Sequence, residues 1–260
     1  MNEGFVLLSV LVVIGIISAT LISLTISVRA HRSSAATERR LTQAIALADA
    51  GLTRIIAMIE VTNDDFLSDF SVPVRWKIAG QEVTVSVAPE ASKVDLNAGD
   101  SALVANVLKA AVENSAKTDR MLRRLAEMRR AGEYLDSVRG LLEPSDRVGR
   151  LARDLEAVFT VWTNLRGVDP KSAPAIVLRN VPGLQPGEAE LLVQASARRA
   201  HSDLSPFVTR FGSLLGGTRP IYRARAEAKS EGVTVKREAL LAYNPSANAV
   251  RVVFWRDVTE

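Results

Sequence analysis

The hydrophobic pattern opens with one uninterrupted apolar run. Phe5 to Val28 contains no charged residue, no Pro and one Gly. At about 1.5 Å per helical residue the run is ~36 Å long, enough to cross a hydrocarbon core of ~30 Å. A cleaved secretory signal would need a basic start, a shorter apolar run and a small-residue exit site. The pattern therefore predicts a retained transmembrane helix.

A helical stripe continues beyond this run. Apolar residues recur at steps of three and four, which gives one apolar face on an otherwise polar helix. These residues are Leu41, Ile45, Ala48, Leu52, Ile55, Ile56 and Ile59. We therefore expect one long helix from Phe5 to near Glu60. Its first half suits lipid or a sheath of similar helices, and its second half suits packing on a globular head.

Two groups of alternating residues predict strands. Val72 to Ala88 alternates around a Gly-containing turn and predicts a hairpin, and Lys93 to Asn97 predicts a short strand. Near the C-terminus, three further segments predict an antiparallel meander with one packed face and one wet face. They are Ile221–Ala228, Val233–Tyr243 and Val250–Trp255.

The sequence between the strand groups, from Asp100 to Leu215, reads as almost entirely helical. The expected helices are 101–116, 117–131, 133–141, 144–158, 173–180 and 186–200. The predicted class is α+β, a long N-terminal helix packed on an antiparallel pilin-like sheet, with a large all-α domain inserted between strands. The predicted division is a leader (1–4), a transmembrane helix (5–28), its amphipathic continuation (29–60), a sheet (61–98 and 219–260) and the inserted domain (99–218).

Charge and composition offer little sign of an active site. The 260 residues carry a net charge of +4, and basic residues are interspersed with acidic ones, which favours an ordinary solvated surface. There is no Cys, and only His31 and His201 could serve as imidazole ligands or bases. No nucleotide-binding or nucleophile motif is present. We therefore expect no enzyme activity, no catalytic residue, no cofactor and no metal site.

Two smaller features also favour structural roles. The acidic group Asn63, Asp64, Asp65 and Asp69 predicts a loop that ends the long helix rather than a cation site. The three tryptophans, Trp76, Trp162 and Trp255, are expected to anchor the cores of the sheet and of the helical domain.

The N-terminus resembles the class III signal of type IV pilins and type II secretion pseudopilins. The shared features are a short polar leader ending in Gly4, then Phe5, then an uncharged helix that becomes amphipathic. In that family a membrane peptidase cuts after the Gly and methylates the new N-terminus. The resemblance implies cleavage between Gly4 and Phe5, with Phe5 as the methylated first residue.

Two features depart from the usual pattern. Most members carry Glu at the fifth mature position, which here is Ser9. In the family this Glu neutralises the N-terminal amine of the neighbouring subunit, and a subunit at the tip of the fibre has no neighbour beyond it. Absence of this Glu is typical of the minor pseudopilin K branch. The leader also lacks a basic residue, while Arg29, His31 and Arg32 follow the run. Charge alone would place the head in the cytoplasm; a basic leader upstream of Met1 would remove the conflict.

The rest of the chain resembles general secretion pathway protein K of type II secretion. The segments that carry the resemblance, in order, are Val94–Ala98, Tyr134–Val138, Ala157–Val161, Asp169–Leu178 and the final strand ending in Trp255. The resemblance implies a minor pseudopilin at the tip of the pseudopilus, which initiates assembly and supports export across the outer membrane. A calcium-holding Asp-rich loop between Asn97 and Gly132 is missing, so metal binding is not implied.

The same resemblance implies the location and the partners. The protein would cross the inner membrane once, with its soluble domain in the periplasm. Its partners would be the minor pseudopilins of the I and J types and the major pseudopilin, all through the N-terminal helix, together with prepilin peptidase and inner-membrane lipid. The sequence does not identify the secreted substrates or separate a secretion pseudopilus from a related type IV pilus system.

Two other interpretations stay open. Asn180 to Gly187 resembles a helix-hairpin-helix turn, whose backbone N–H groups can bind a nucleic-acid phosphate, so a membrane-tethered DNA-binding or uptake protein is the alternative function. Against it, Pro186 removes a donor, and Glu188 and Glu190 would repel a phosphate. Nucleic acid is therefore not the expected partner. A plain single-pass protein without processing is the remaining possibility.

Overall fold

The computed structural model describes residues 3–62, 72–198 and 201–258. Within residues 3–33, the structure describes the backbone throughout, but solvent exposure only at Gly15, Ser18, Leu21, Ser23 and Leu24. The helices are α1 (Glu3–Thr62), α2 (Ser101–Ala111), α3 (Ser115–Ala131), α4 (Arg150–Val158), α5 (Ala175–Arg179), α6 (Pro186–Arg198) and α7 (His201–Phe211). The strands are β1 (Val74–Ile78), β2 (Gln81–Pro89), β3 (Val94–Asp95), β4 (Phe159–Thr160), β5 (Ile221–Ser230), β6 (Val233–Asn244) and β7 (Ala249–Asp257).

Five strands form an antiparallel sheet in the order β1-β2-β5-β6-β7. This confirms the predicted hairpin and the predicted C-terminal meander, and with the helices it confirms the α+β class. Two turns, Ala79-Gly80 and Glu231-Gly232, have positive φ at both residues. That geometry suits two-residue hairpin turns because its twist matches the twist of the strands. β2 pairs with β5, from Val83 opposite Ala228 to Pro89 opposite Tyr222. Residues 90–220 are thus inserted between two neighbouring strands, and we refer to them as the inserted segment.

The second half of α1 covers one face of the sheet. Ala48, Leu52, Ile55 and Ile59 are fully buried against Val and Ala side chains of β2 and β5. Gly51 lies at the closest approach, where an added Cβ would stand 3.0 Å from Val83 Cγ1 and 3.1 Å from Val85 Cγ1. The predicted stripe is thus buried at these four residues, half-buried at Ile45 and Ile56, and exposed at its start, where Leu41 is 44% exposed.

The inserted segment has its own hydrophobic cluster, built from α2, α3, α4, α5, α6 and α7. β3 confirms the short strand predicted at Lys93–Asn97 and pairs in parallel with β4. β4 lies in the stretch predicted to be almost entirely helical, so that prediction is wrong at Phe159–Thr160. The predicted helix over Glu133–Leu141 is also wrong. Gly132 adopts a left-handed conformation that ends α3, and only Val138–Leu141 forms a 3-10 helix. The predicted helix 101–116 ends at Ala111, and Asn114 caps α3 instead.

Asp95 joins the entry of this segment to its middle. The carboxylate is fully buried and accepts five hydrogen bonds. Oδ1 accepts from the backbone N–H groups of Asn97 and Ala98, and Oδ2 accepts from Thr163 and Asn164 at 2.8–2.9 Å. A buried carboxylate tolerates burial when its lone pairs are satisfied in this way. Asp95 therefore fixes the strand after β2 against the loop after β4.

Candidate functional site

The predicted processing residues lie in α1, where the structure describes no side chains for them. Gly4, Phe5 and Ser9 therefore stay predictions. Among the side chains that the structure describes, no helix is both long enough and apolar enough to cross a membrane. Most of the predicted anchor, Phe5 to Val28, lies outside those described side chains, so it also stays a prediction. The acidic group Asn63, Asp64, Asp65 and Asp69 lies outside the described residues as well.

The first half of α1 projects as a rod from the rest of the molecule. We refer to the sheet, the inserted segment and the second half of α1 as the head. Every residue from Ser34 to Gln43 is exposed, and Ala44 is the first buried residue of the helix in the described part. About 40 residues of helix at 1.5 Å each give a rod of roughly 60 Å. Leu21 and Leu24 on this rod are exposed to solvent, by 58% and 61%. An apolar helix surface of this kind can pack laterally against another helix or against lipid.

A charged cleft lies on the other face of the sheet, beside the inserted segment. Its volume is about 730 Å³. The sheet contributes one row of paired residues, in which Ser86 faces Arg225, Arg225 faces Glu238 and Glu238 faces Arg256. The inserted segment contributes Arg139 and Glu156, together with Arg153 of α4. We refer to this as the charged cleft.

Glu238 lies at the centre of the charged cleft. Its side chain is 3% exposed and contacts three guanidinium groups. Arg223 donates at 2.9 Å, Arg225 at 3.2 Å and Arg256 at 2.6 Å. Burial alone would raise the pKa of the Glu238 carboxyl, but these three arginines outweigh it and hold that pKa below its ordinary value. Glu238 is therefore ionised, and its ion pairs connect β6 to β5 and β7.

Glu90 lies beneath the cleft, at the first residue after β2. It is fully buried and pairs with Lys93 at 3.2 Å and with Arg223. Burial would raise the pKa of Glu90, but the charges of Lys93 and Arg223 outweigh it and hold the pKa at about 2. Burial lowers the pKa of Lys93, and Arg223 and Arg225 lower it further, against the attraction of Glu90. These contacts connect the inserted segment to β5.

A further ion pair completes the connection. Arg139 donates two hydrogen bonds to Glu156, at 2.9 and 3.1 Å, and this bidentate contact raises the pKa of the Arg139 guanidinium. Glu156 also lies 3.8 Å from Arg256 of β7. The sheet and the inserted segment therefore share one network of charges.

The sequence patterns did not predict this network. The interspersed charges indicated a solvated surface, whereas Glu90, Lys93 and Glu238 are buried. The alternation in the C-terminal strands indicated a wet outer sheet face, whereas the inserted segment covers part of that face. The available signal was the alternation of Arg223 and Arg225 on one strand. Alternation shows that the two side chains share a face but not what lies over that face.

The three tryptophans are half-buried, and Trp76 and Trp255 pack against the core of the sheet as predicted. Trp76 lies under the guanidinium of Arg54, 4.6 Å from the ring centroid. The ring of Trp162 lies 5.7 Å from that of Phe254 and so joins the inserted segment to β7. The indole of Trp255 bonds Asp49 of α1. Each tryptophan therefore connects two elements at the margin of a core.

The hairpin from Asn180 to Gly187 does connect two helices, α5 and α6, with Gly183 at φ +84°. Its acidic residues are engaged. Glu188 accepts a hydrogen bond from the backbone N–H of Gln185 at 3.0 Å and pairs with Arg210. The Gln185 contact first, and then Arg210, lower the pKa of Glu188. Glu190 accepts hydrogen bonds from two nitrogens of Arg179, Nε at 3.0 Å and Nη2 at 3.1 Å. Carboxylates occupy the end of α6 where a phosphate would bind.

Metal-ligating side chains do not gather in the described ranges. No group of three His, Asp or Glu residues is placed there to hold a metal ion. The expectations that the chain is not an enzyme and uses no cofactor are not tested by this geometry and stay predictions.

Comparison with known proteins shows a similarity in fold. No protein-family model matches the sequence, and no curated protein matches it. A chain in the crystal structure of the GspK-GspI-GspJ complex, from the type 2 secretion system of enterotoxigenic Escherichia coli, is similar in fold. The TM-score is 0.54 at 10% identity, over 88% of this chain and 99% of that chain. The fold is therefore pseudopilin-like.

Proposed function

We propose that this protein is a minor pseudopilin-like structural subunit at the tip of a type II secretion pseudopilus. The observation that carries the proposal is the fold similarity to a chain of the GspK-GspI-GspJ complex, over nearly the whole of that chain. In this proposal the protein initiates assembly of the pseudopilus with other minor pseudopilins and so supports export across the outer membrane.

The mechanism we propose is lateral helix packing. The projecting half of α1 leaves lipid and joins a bundle of similar helices, where its exposed leucines become buried. The head remains in the periplasm while α1 anchors the chain in the inner membrane. Ser9 supports a terminal position, because a tip subunit has no further N-terminal amine to neutralise. The inserted segment adds bulk above the sheet, which would stop another subunit from adding there.

The contacts of the α5–α6 hairpin disfavour the DNA-binding alternative. A phosphate at the start of α6 would have to displace Glu188 from the Gln185 N–H and would meet Glu190 nearby. Both carboxylates repel an anion.

N-terminal processing tests the family assignment. We expect the protein expressed with a prepilin peptidase to lose Met1–Gly4 and to carry a methyl group on Phe5, as read by mass spectrometry. Gly4→Leu should block cleavage because it places a side chain at the scissile bond. Gly15→Leu is the matched control, since an added Cβ at Gly15 meets no atom within 4 Å. An intact Met1 in the wild-type protein would refute the assignment.

Crosslinking tests the tip position separately. Because the chain has no Cys, Leu24→Cys would supply its only thiol, on the exposed part of α1. We expect disulfides to pseudopilins that carry a Cys in their own helices, and no disulfide between two copies of this chain. Thr53→Cys, exposed on the head-bound half of α1, is the control and should stay unlinked. Disulfide-linked dimers of this chain would show that two copies lie side by side and so contradict a single tip position.

A further inference from the structure

We propose that the charged cleft binds a carboxylate-rich segment of a partner polypeptide. This is a second binding surface, on the sheet face opposite α1, and it does not depend on the assembly role proposed above. The proposal rests on three observations: an imbalance of charge, unused hydrogen-bond donors and the size and shape of the cleft.

The side chains that line the cleft do not balance in charge, because eight are basic and four, those of Glu156, Glu227, Glu238 and Asp257, are acidic. The network at its centre shows the same imbalance. Five cations, Lys93, Arg139, Arg223, Arg225 and Arg256, share three carboxylates, those of Glu90, Glu156 and Glu238. Glu238 alone serves three arginines. Like charges held together in a poorly hydrated place repel one another more strongly than on an open surface. An external anion would relieve that repulsion.

The arginines at the rim keep donors free for such an anion. A guanidinium has five N–H donors. Within the described residues Arg225 uses one of its nitrogens, Nε on Glu238, and its side chain is 55% exposed. Arg256 is 45% exposed, and no acceptor for its Nη1 is seen among those residues. Arg153 is exposed and pairs with no acid in that part of the chain.

The site already shows which anion it fits. The Glu238 carboxylate sits between Arg225 and Arg256, so their guanidinium groups are placed for carboxylate oxygens. The cleft of about 730 Å³ is much larger than one phosphate and falls in the range of sites for drug-sized ligands. Cations from β5, β7 and α4 surround it, and Thr84 and Ser86 add hydroxyls. Such a spread matches several acidic side chains on one segment.

Fluorescence anisotropy of the full chain in a non-ionic detergent tests the proposal. The probe is a labelled hexapeptide of Glu, and the reference is the same peptide made of Gln. We expect saturable binding of the Glu peptide only, weakening as salt rises. Arg153→Ala combined with Arg225→Ala should weaken binding by about tenfold or more, equivalent to about 1.4 kcal/mol.

Arg123→Ala with Arg130→Ala is the matched control. Both arginines are exposed on α3 and pair with no acid in the described ranges, so their loss removes the same charge away from the cleft. Binding should change by less than about twofold. Arg153→Ala alone keeps the test valid if the double variant unfolds, because Arg153 supports no ion pair within the described residues.

Three outcomes would overturn the proposal. One is no binding of the Glu peptide to the full chain. Another is an equal loss in the cleft and α3 variants, which would show attraction to net charge alone. The last is displacement of the peptide by inorganic phosphate at equal concentration, or preferential binding to vesicles with anionic headgroups, which would assign the cleft to a phosphate ligand.

Discussion

The indole N–H of Trp255 donates a hydrogen bond to Asp49 Oδ1 at 2.8 Å. Trp255 belongs to the last strand and Asp49 to the first helix, so the contact closes the fold between its two ends. Arg237 approaches the same oxygen at 3.4 Å. Half-buried hydrogen bonds to charged groups contribute more to the stability of the fold than hydrogen bonds between neutral groups.

This contact predicts a modest and specific loss of stability. Trp255→Phe should lower the free energy of unfolding by about 1–2 kcal/mol, because Asp49 loses a donor while much of the ring contact remains. Urea denaturation measures the change. Trp162→Phe is the control, since no hydrogen bond of its indole is seen among the described residues, and it should cost less. Equal losses would show that ring packing, not the hydrogen bond, stabilises this junction.

Glu90 predicts a dependence of stability on pH. Its pKa is about 2 in the folded chain against an ordinary value of 4.5. Above pH 4.5 the carboxyl is ionised in both states, and its pairing contributes about 3 kcal/mol. Between pH 4.5 and 2 the unfolded chain takes up a proton that the folded chain does not, so this contribution is lost as pH falls.

The matching variant is Glu90→Gln. We expect it to be less stable than the wild type by about 3 kcal/mol at pH 7, and the difference should shrink towards zero near pH 2. Denaturation at a series of pH values gives both curves. Glu227→Gln, at a more exposed carboxylate paired with Lys229, should stay near the wild type throughout. A constant gap between the Glu90 variant and the wild type would contradict the pairing.

The close contact at Gly51 predicts that a larger side chain does not fit between α1 and the sheet. Gly51→Val should destabilise the protein by about 2–3 kcal/mol, because Val83 and Val85 leave too little space for a branched side chain. Gly187→Ala is the control: an added Cβ there meets no atom within 4 Å, so the change should be neutral or stabilising by up to about 1 kcal/mol. Thermal melts compare the two. A neutral Gly51→Val would mean that α1 can move away from the sheet at little cost.

Asp95 predicts a large effect from the loss of one acceptor oxygen. Asp95→Asn replaces that oxygen with an NH₂ group facing N–H donors, so we expect a loss of about 2–4 kcal/mol. Asp100→Asn is the matched control. Asp100 caps α2 by accepting from Ala102 and Leu103, and Asn caps a helix about as well. Hydrogen exchange should show the added opening at β3 and β4; unchanged protection there would refute the role given to Asp95.

Local patterns were sufficient for most elements. The alternation of Val83, Val85 and Val87 placed β2, and the three-four spacing of Leu52, Ile55 and Ile59 placed the buried face of α1. Both depend on a period within one element. Boundaries were less accurate: Asn114 and Gly132 act through capping and a left-handed turn, and a helical pattern runs past both.

The charged cleft could not be predicted in the same way. Its key contacts join Glu90 to Arg223 and Glu156 to Arg256, pairs far apart in the chain. A charged residue on a strand reads the same from sequence whether water or another segment covers it. The burial of Glu238 became visible only with the inserted segment in place.

The sequence by itself determined the elements whose residues repeat at a fixed period: the amphipathic half of α1, the hairpin and the C-terminal meander. Tertiary structure alone decided that β2 pairs with β5 across the inserted segment, that β3 pairs with β4 in parallel, and that five cations share three carboxylates. The physical reason is that periodicity records which side chains share a face, whereas long-range pairing and the burial of charge depend on what the rest of the chain brings against that face.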